Sequence, residues 1–382
     1  MMQPCALALA LLACAVVSWR DAAAQGADGT GAHRWTVTLG ADQGWESNVR
    51  FVPSDAQSDF DVRVGAHVAR TWELTRTRLT ISGTGGVTRF RYLPDRNSSN
   101  YGAGIDVSRQ WTPRLTGQLG YAYQSAFTSI LTETLDRGLQ LPVVLARTHA
   151  ASGNVAYRAS QRTTVAVDAQ YTDVAFDSTI LVGGRSLSSR LQTTHQLSRS
   201  SAVTLGYQLQ WSESNNRDAA GHTVFGAWDL QLSRLLTARL SAGVTRTQSL
   251  LVGGSSAHVR AVGSAELGAR RATTVFTARL ERSVSQGFGL GRVLQTDQFT
   301  AQYGRALTRT LAVALRGEVA QSHDPADPTF SFRSGDGALD LRWEIMPDIV
   351  IGGGVFARGR DDLVRVTSTG VHFGLGYGGL LP

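Results

Sequence analysis

Apolar and polar residues alternate strictly between positions 202 and 211. The odd-numbered positions carry the large apolar residues Val203, Leu205, Tyr207, Leu209 and Trp211. The even-numbered positions carry only small or amide side chains, which suit water. Successive side chains of a β-strand point to opposite faces of its sheet, so this period of two predicts a strand with one apolar and one hydrated face. A short polar turn, Ser198–Ser201, joins it to another alternating run before it.

The same unit, two alternating strands joined by a short polar turn, recurs along almost the whole chain. The predicted tight turns lie at Thr71–Thr77 and Trp111–Arg114, and near Ser160, Ser200, Leu235, Arg271, Thr308 and Pro347. Successive turns are mostly about 35–40 residues apart, which fits two membrane strands of roughly 9–11 residues plus one longer connection. The pattern therefore predicts about eighteen strands in nine hairpins, with sixteen strands as the alternative.

The connections fall into a short set and a long set. The short set includes Trp111–Arg114, Ser198–Ser201 and Met346–Asp348, and the long polar set includes Ser212–His222, His323–Phe332 and Thr128–Ala146. Outer-membrane barrels have short periplasmic turns and longer external loops, so the short set is expected to face the periplasm. The longest loop, Thr128–Ala146, is expected to fold inward or to form a short helix.

This pattern predicts an all-β fold, a single transmembrane antiparallel up-and-down β-barrel over residues 34–382. A β-sandwich with so many strands would need several domains and linkers, and no shift in composition marks one. A parallel β-helix repeats at shorter periods and has no hairpin turns. In lipid the backbone groups of strands are all paired only when the sheet closes on itself.

The N-terminus has the pattern of an export signal. Residues 1–24 are predicted to be a signal peptide and residues 25–33 a short spacer, because the apolar run Ala6–Val17 precedes small residues at Ala22 and Ala24. The alternative is a lipoprotein signal, in which Cys14 becomes a lipidated N-terminus. Cys5 and Cys14 are the only cysteines, so the barrel is expected to lack disulfides and thiolate metal sites.

Charge and motifs argue against several classes of function. The net charge is +7, every basic residue is Arg, and no basic run of the nucleic-acid-binding kind occurs. We expect no cofactor, no metal and no enzyme activity. Gly374–Gly379 fits the spacing of a dinucleotide-binding loop, but no helix follows it. Asp324, Asp327 and Asp336 fall in one predicted external loop, yet their spacing is not that of a Ca²⁺-binding EF-hand.

Polar strand residues on the face opposite the apolar one are expected to line a lumen. The candidates are Arg63, Asp106, Asp168, Gln170, Gln208, Arg279, Glu281, Arg316, Glu318, Asp340, Arg342 and Glu344. They would either brace the barrel as ion pairs or form a polar track for a solute. Aromatic residues near strand ends are expected to anchor the barrel at the two membrane interfaces: Trp35, Trp45, Tyr92, Trp111, Tyr157, Phe176, Trp211, Phe332 and Trp343.

One segment carries a family resemblance. The opening strand ends with Trp45-Glu-Ser-Asn-Val49, an aromatic-acidic-Ser-Asn-Val pattern. This segment resembles the first strand of the β-barrel porins found with bacterial exopolysaccharide gene clusters, and the repeated two-strand units are also similar. The chain departs from the usual terminal aromatic residue, since Gly378-Gly-Leu-Leu-Pro382 follows Phe373 and Tyr377.

The resemblance implies an outer-membrane pore for exopolysaccharide export that works with a periplasmic export protein. A general or anion-preferring diffusion porin is the main alternative, and a barrel enzyme and a structural or adhesive barrel are further ones. The partners expected are outer-membrane lipid, the barrel-assembly machinery and a polysaccharide or other polar solute.

Overall fold

The computed structural model describes residues 33–128, 143–179, 181–214, 217–251, 254–287, 290, 292–324, 327–361 and 365–378. The predicted signal peptide of residues 1–24, most of the predicted spacer and Cys14 lie outside the described residues. So do residues 129–142 of the longest predicted loop and the last four residues. Within the described ranges, no helix is long and apolar enough to cross a membrane.

In the described part of the chain, the fold consists of eighteen strands and one short 3-10 helix. The first nine strands are β1 His33–Glu46, β2 Asp59–Leu74, β3 Thr77–Phe90, β4 Ser98–Thr112, β5 Leu115–Phe127, β6 Leu145–Arg158, β7 Thr163–Phe176, β8 Gly184–Ser198 and β9 Ser201–Ser214. The last nine are β10 Arg217–Gln231, β11 Leu236–Leu251, β12 Gly254–Arg271, β13 Thr274–Gly287, β14 Arg292–Ala306, β15 Leu311–Asp324, β16 Asp327–Met346, β17 Ile349–Asp361 and β18 Arg365–Tyr377. The 3-10 helix is Pro94–Arg96.

The sheet closes on itself. Each strand pairs antiparallel with the next, and β1 pairs with both β2 and β18. The seam between the chain ends runs from Leu39 opposite Tyr377 to Glu46 opposite Gly370. The predictions of an antiparallel barrel and of eighteen strands are confirmed.

Short turns follow the even-numbered strands at all eight predicted positions. The opposite connections are longer after β1, β3, β5 and β7, whereas those after the later odd-numbered strands are as short as the turns. In several of them a hydroxyl at the start of the turn accepts backbone N–H groups three residues on, as Ser160, Ser233 and Thr308 do. These hydrogen bonds satisfy donors that the ladder leaves unpaired.

Two predicted external loops are mainly strand instead. β9 continues to Ser214 and β10 begins at Arg217, so only residues 215–216 separate them where a loop Ser212–His222 was expected. Similarly, β16 begins at Asp327 rather than after Phe332. The strands hold 13–20 residues and extend beyond the bilayer. There neither face needs to be apolar, so the alternation that identifies a strand disappears while the backbone pairing continues.

The outer face carries a belt of exposed apolar side chains. Leu119, Leu205 and Val224 are each more than 60% exposed, and most large exposed apolar residues of the strands share their parity. Such a surface is stable only against lipid, because in water hundreds of square ångströms of apolar surface would be exposed to solvent. The belt and the closed sheet together define a transmembrane barrel.

Candidate functional site

The interior face can be identified from a contact that crosses the barrel. Ala126, Ala146 and Val174 of β5–β7 form one buried cluster with Leu294 of β14 and Phe332 of β16. These strands lie on opposite sides of an eighteen-strand ring, so the cluster can form only inside it. On each of these strands, the cluster member and the residues at every second position from it therefore face the interior, and we say that they have interior parity. The strand registers extend this assignment to every other strand.

All twelve expected lumen residues have the interior parity. Asp106 faces Gly120 of β5, Arg63 faces Thr88 of β3, and Glu318 faces Thr300 of β14, each within this parity. The structure brings some into contact with one another or with neighbours. Arg279 pairs with Glu281 at 2.7 Å, and Gln208 accepts a hydrogen bond from Arg190 at 2.9 Å.

Other members of the set have partners that the sequence pattern did not indicate. The Asn154 amide donates to Asp168 at 2.5 Å, and His372 Nε2 lies 3.2 Å from Asp340. Arg63 pairs with Asp61 at 2.6 Å, and only the carboxylate of that pair is buried. The side chains of Arg316 and Glu344 are exposed. Gln170 also has interior parity, but it lies on β7 and contacts neither of them.

The cluster that crosses the interior is apolar and lies towards the external end. Its further members are Leu181 and, packed against it, Val144, Phe176, Leu290 and Phe330. Phe332 is 4% exposed, and it and Phe176 belong to this cluster. The expectation that these two rings anchor the barrel in the interface was wrong, because both have the interior parity. The cluster divides the interior near the outer mouth.

The connection between β1 and β2 folds into the mouth at the seam. Val49 and Phe51 are 2% and 3% exposed, and Phe51 packs against Val143 and the interior residue Val366. Phe51 has a positive φ of 51°, a conformation costly for an aromatic residue, so its packing must compensate for the strain.

Asn48 fixes this segment. Its amide donates to the carbonyl of Val52 at 2.9 Å and to that of Thr367 at 3.3 Å, and its oxygen accepts the N–H of Val52 at 3.3 Å. Asn48 is 3% exposed, so these polar groups have little access to water. The side chain ties the segment to itself and to β18.

A charged pair lies directly beneath Phe51. Glu46 accepts hydrogen bonds from Arg358 and, at 2.8 Å, from the hydroxyl of Ser368. The guanidinium of Arg358 also lies 4.9 Å from the centre of the Phe51 ring. Both charges are nearly buried, with side chains 13% and 11% exposed, so each depends on the other.

Three external connections interlock around this point. Asp59, 1% exposed, accepts the N–H groups of Tyr92 and Leu93, and Arg50 pairs with Asp95 at 2.6 Å. The Arg96 guanidinium donates to the carbonyl of Val143. Burial lowers the pKa of Arg96, the nearby charge of Arg50 lowers it further, and Asp95 opposes both effects. The connections after β1, β3 and β5 therefore form one unit at the mouth.

The sequence pattern missed most of this unit. Glu46, Asn48 and Phe51 lie in or beside the segment Trp45–Val49, which was recognised by resemblance and not by its chemistry. The signal that could have found it is the polar pair Glu46 and Asn48 at the end of an otherwise clean strand. Arg358 gave no signal, because one arginine in an alternating strand resembles any other.

Charged residues also form a row on the interior wall, each directly opposite the next on neighbouring strands. We call this row the charge ladder; its members are Asp229, Arg239, Glu266, Arg279, Thr300, Glu318, Asp336 and Arg358. It runs from β10 to β17, and Thr300 is its uncharged step. Residues directly opposite on antiparallel strands have Cβ atoms about 4.5–5.5 Å apart.

The ladder climbs through the barrel. Asp229 lies near the periplasmic end of β10, which ends at Gln231, and Arg358 lies near the external end of β17, which ends at Asp361. Strands lie about 4.8 Å apart and tilt by about 40° in such barrels, so the row rises by roughly 20 Å along the axis. That rise approaches the height of the apolar band, about 25 Å.

No group of three or more metal-binding side chains occurs among the described residues. Asp324 and Asp327 both pair with Arg292, at 3.1 Å and 2.9 Å, which satisfies their charge without a cation. Asp336 is not in their connection but in the middle of β16, on the interior wall.

The fold is shared with known structures. No known protein family and no curated protein matches the sequence. Among solved structures, Acinetobacter baumannii OccAB3 is 9% identical with a TM-score of 0.53, over 90% of this chain and 98% of that one.

Two structures of Pseudomonas aeruginosa OccK2 (OpdF) are also similar. One is 8% identical with a TM-score of 0.52, over 90% of this chain and 97% of that one. The other, in complex with glucuronate, is 10% identical with a TM-score of 0.50, over 91% and 98%. These proteins are outer-membrane porins of Gram-negative bacteria. The closed sheet, the apolar outer belt and this shared fold place the chain among the outer-membrane β-barrels.

Proposed function

We propose that the chain is a diffusion channel for small polar solutes across the outer membrane. The observation that carries this proposal is the closed eighteen-strand sheet with an apolar outer belt and a polar interior face. Barrels of this size are wide enough to hold an aqueous channel. In this proposal the twelve interior residues of the expected set line the path.

The charge of the interior favours a general channel over an anion-preferring one. The acidic residues of interior parity are Asp42, Glu46, Asp59, Asp61, Glu73, Asp106, Asp168, Asp229, Glu266, Glu281, Glu318, Asp324, Asp336, Asp340 and Glu344. Among the residues whose side chains the structure describes, the arginines of that parity are Arg63, Arg78, Arg158, Arg190, Arg239, Arg260, Arg270, Arg279, Arg292, Arg316, Arg342, Arg358 and Arg360. The two groups nearly balance, so the wall attracts neither sign of ion strongly.

The net charge of +7 therefore has its source elsewhere. Exposed arginines occupy most of the short periplasmic turns, namely Arg76, Arg114, Arg162, Arg199, Arg234 and Arg309. Charges at a pore mouth act mainly on the rate of encounter and are screened within about 8 Å at physiological salt. They bear less on selectivity than the residues of the wall.

Solute size separates this proposal from the export of a polysaccharide with a periplasmic partner. The export candidate is favoured by the resemblance of Trp45–Val49, whereas the apolar cluster across the interior favours small solutes because it leaves less than the full width free. The bound glucuronate of OccK2 supports a sugar acid as a suitable test solute.

The test is a liposome-swelling assay with the purified chain. We expect glucose and glucuronate to enter at rates within about threefold of each other, and oligosaccharides to enter progressively more slowly with length. Entry of long oligosaccharides at the rate of glucose would favour export. A preference for glucuronate above about tenfold would contradict the balanced wall, since tenfold corresponds to about 1.4 kcal/mol of selective attraction.

A further inference from the structure

The periplasmic end of the charge ladder lies in a cavity. The cavity has a volume of about 370 Å³ and lies between the ends of β8–β12. Its lining includes three ladder residues, Asp229, Arg239 and Glu266, together with Arg199 of the turn before β9. A cavity of this volume is at the lower end of the range for small-molecule sites, which suits a solute of a few carbon atoms.

Two oppositely charged side chains in this cavity have no ion-pair or hydrogen-bond partner among the described residues. Arg239 pairs with Asp229 at 3.5 Å, and Arg279 pairs with Glu281 on its own strand. Glu266 lies opposite both arginines in the register, yet among the described residues it makes no ion pair and no hydrogen bond. The same holds for Arg199 within those ranges. The cavity thus presents one free carboxylate and one free guanidinium.

We propose that this cavity binds small zwitterions, solutes that carry one ammonium and one carboxylate group, and passes them to the charge ladder. The inference rests on the proposed channel function and names a solute class for it. The ammonium group binds Glu266 and the carboxylate binds Arg199, so both charges of the solute are met in one site. A solute with a single charge gains one contact and is repelled by the other group.

The ladder extends this preference along the wall. Its signs alternate from Asp229 to Arg279, so a zwitterion finds a complementary pair of charges at each successive step. A singly charged solute meets attraction and repulsion in turn. No step holds a solute alone, which favours passage over tight binding.

Four solutes of nearly equal size test this inference in liposomes: L-alanine, L-lactate, L-alaninamide and 1,2-propanediol. They carry both charges, a negative charge, a positive charge and no charge, respectively. The variants are Glu266→Gln and Arg199→Gln. The matched control is Glu73→Gln, which neutralises an interior carboxylate at the periplasmic end of β2, where it pairs with Arg78 at 3.4 Å.

We expect the swelling rate in L-alanine, divided by that in 1,2-propanediol, to fall at least threefold in both cavity variants and to stay unchanged in the control. An equal fall in Glu73→Gln, or an equal change for all four solutes, would overturn the inference. Failure of glucose, which crosses lipid only slowly, to enter with the unmodified chain would instead overturn the proposed channel.

A binding measurement keeps the inference testable without transport. Saturation-transfer NMR of L-alanine with the chain in detergent micelles should show binding that weakens at least threefold in Glu266→Gln. Equal signals from the unmodified chain and this variant would overturn the zwitterion site whatever the liposomes show.

Discussion

Replacing Asn48 with Ala should open the external mouth. The substitution removes three hydrogen bonds, two to Val52 and one to the carbonyl of Thr367, from a side chain that is 3% exposed. Each such bond contributes about 0.5–1.5 kcal/mol, so the folded-in connection between β1 and β2 should lose about 2–4 kcal/mol. That loss raises the population of the displaced connection by roughly 30-fold or more.

The assay combines hydrogen exchange with single-channel recording. In the variant, the amides of residues 49–52 should exchange at least about 30-fold faster, and the channel should show a larger conductance with more frequent transitions. The positive φ of Phe51 disfavours the folded-in conformation, so closure of the segment depends on contacts such as those of Asn48.

The matched control is Thr112→Ala on the opposite rim. The Thr112 hydroxyl accepts the N–H groups of Arg114 and Leu115 at 3.2 Å and 3.0 Å, so the control also loses hydrogen bonds at a strand end. Its conductance should equal that of the unmodified chain. Fast exchange at residues 49–52 with unchanged conductance would show that the segment does not obstruct the path. Slow exchange in Asn48→Ala would refute the hydrogen-bond argument itself.

Three further substitutions test the interior. Phe332→Ala should cost about 3–5 kcal/mol of stability and enlarge the conductance, because Phe332 is 4% exposed within the apolar cluster. Unfolding in urea measures the loss of stability, and Phe373→Ala on the lipid face is the control. Glu46→Gln should destabilise the barrel by about 3–5 kcal/mol by leaving Arg358 without its counter-charge, and a double variant that also carries Arg358→Met should recover most of that loss in the same assay. Arg190→Glu should shift the reversal potential in a KCl gradient towards cations, since the change alters a nearly balanced wall by two charges; no shift would place Arg190 away from the ion path.

The barrel was predictable because one physical requirement acts along the whole chain. Wherever a strand crosses the bilayer, lipid demands an apolar residue at every second position, as in the run from Val203 to Trp211. The tight turns were predictable for a related reason, since Ser, Thr, Pro and Arg interrupt the alternation where the chain leaves the membrane. The strand count followed from these two signals.

The sequence pattern failed where lipid sets no demand. Beyond the bilayer, both faces of a strand contact water, so polar residues such as Glu213 and Asp218 are tolerated on either face. The ends of β9 and β10 therefore had the sequence pattern of a loop. Inside the barrel, polar and apolar residues are both tolerated, so Phe176 and Phe332 could not be told from interface anchors. Their role depends on the cluster they share, in which Ala126 of β5 and Leu294 of β14 meet only because the ring is closed.

The charge ladder was hidden for a different reason. Its members were noticed in part, since Arg279 and Glu318 belong to the expected lumen set. Their order depends on the register of eight strands, which a sequence pattern does not determine to the residue. A shift of one residue in any hairpin would move a charge to the lipid face.

Thiol modification of single cysteines tests the central claim most directly, because the chain has no cysteine after Cys14. The pair Gln208→Cys and Leu209→Cys places a thiol on the interior parity and on the lipid parity of the same strand. In planar bilayers, a membrane-impermeant charged thiol reagent should reduce the single-channel conductance of Gln208→Cys and leave Leu209→Cys unchanged. Equal responses of the two variants, or the absence of conductance in both and in the unmodified chain, would contradict a water-filled path through this barrel.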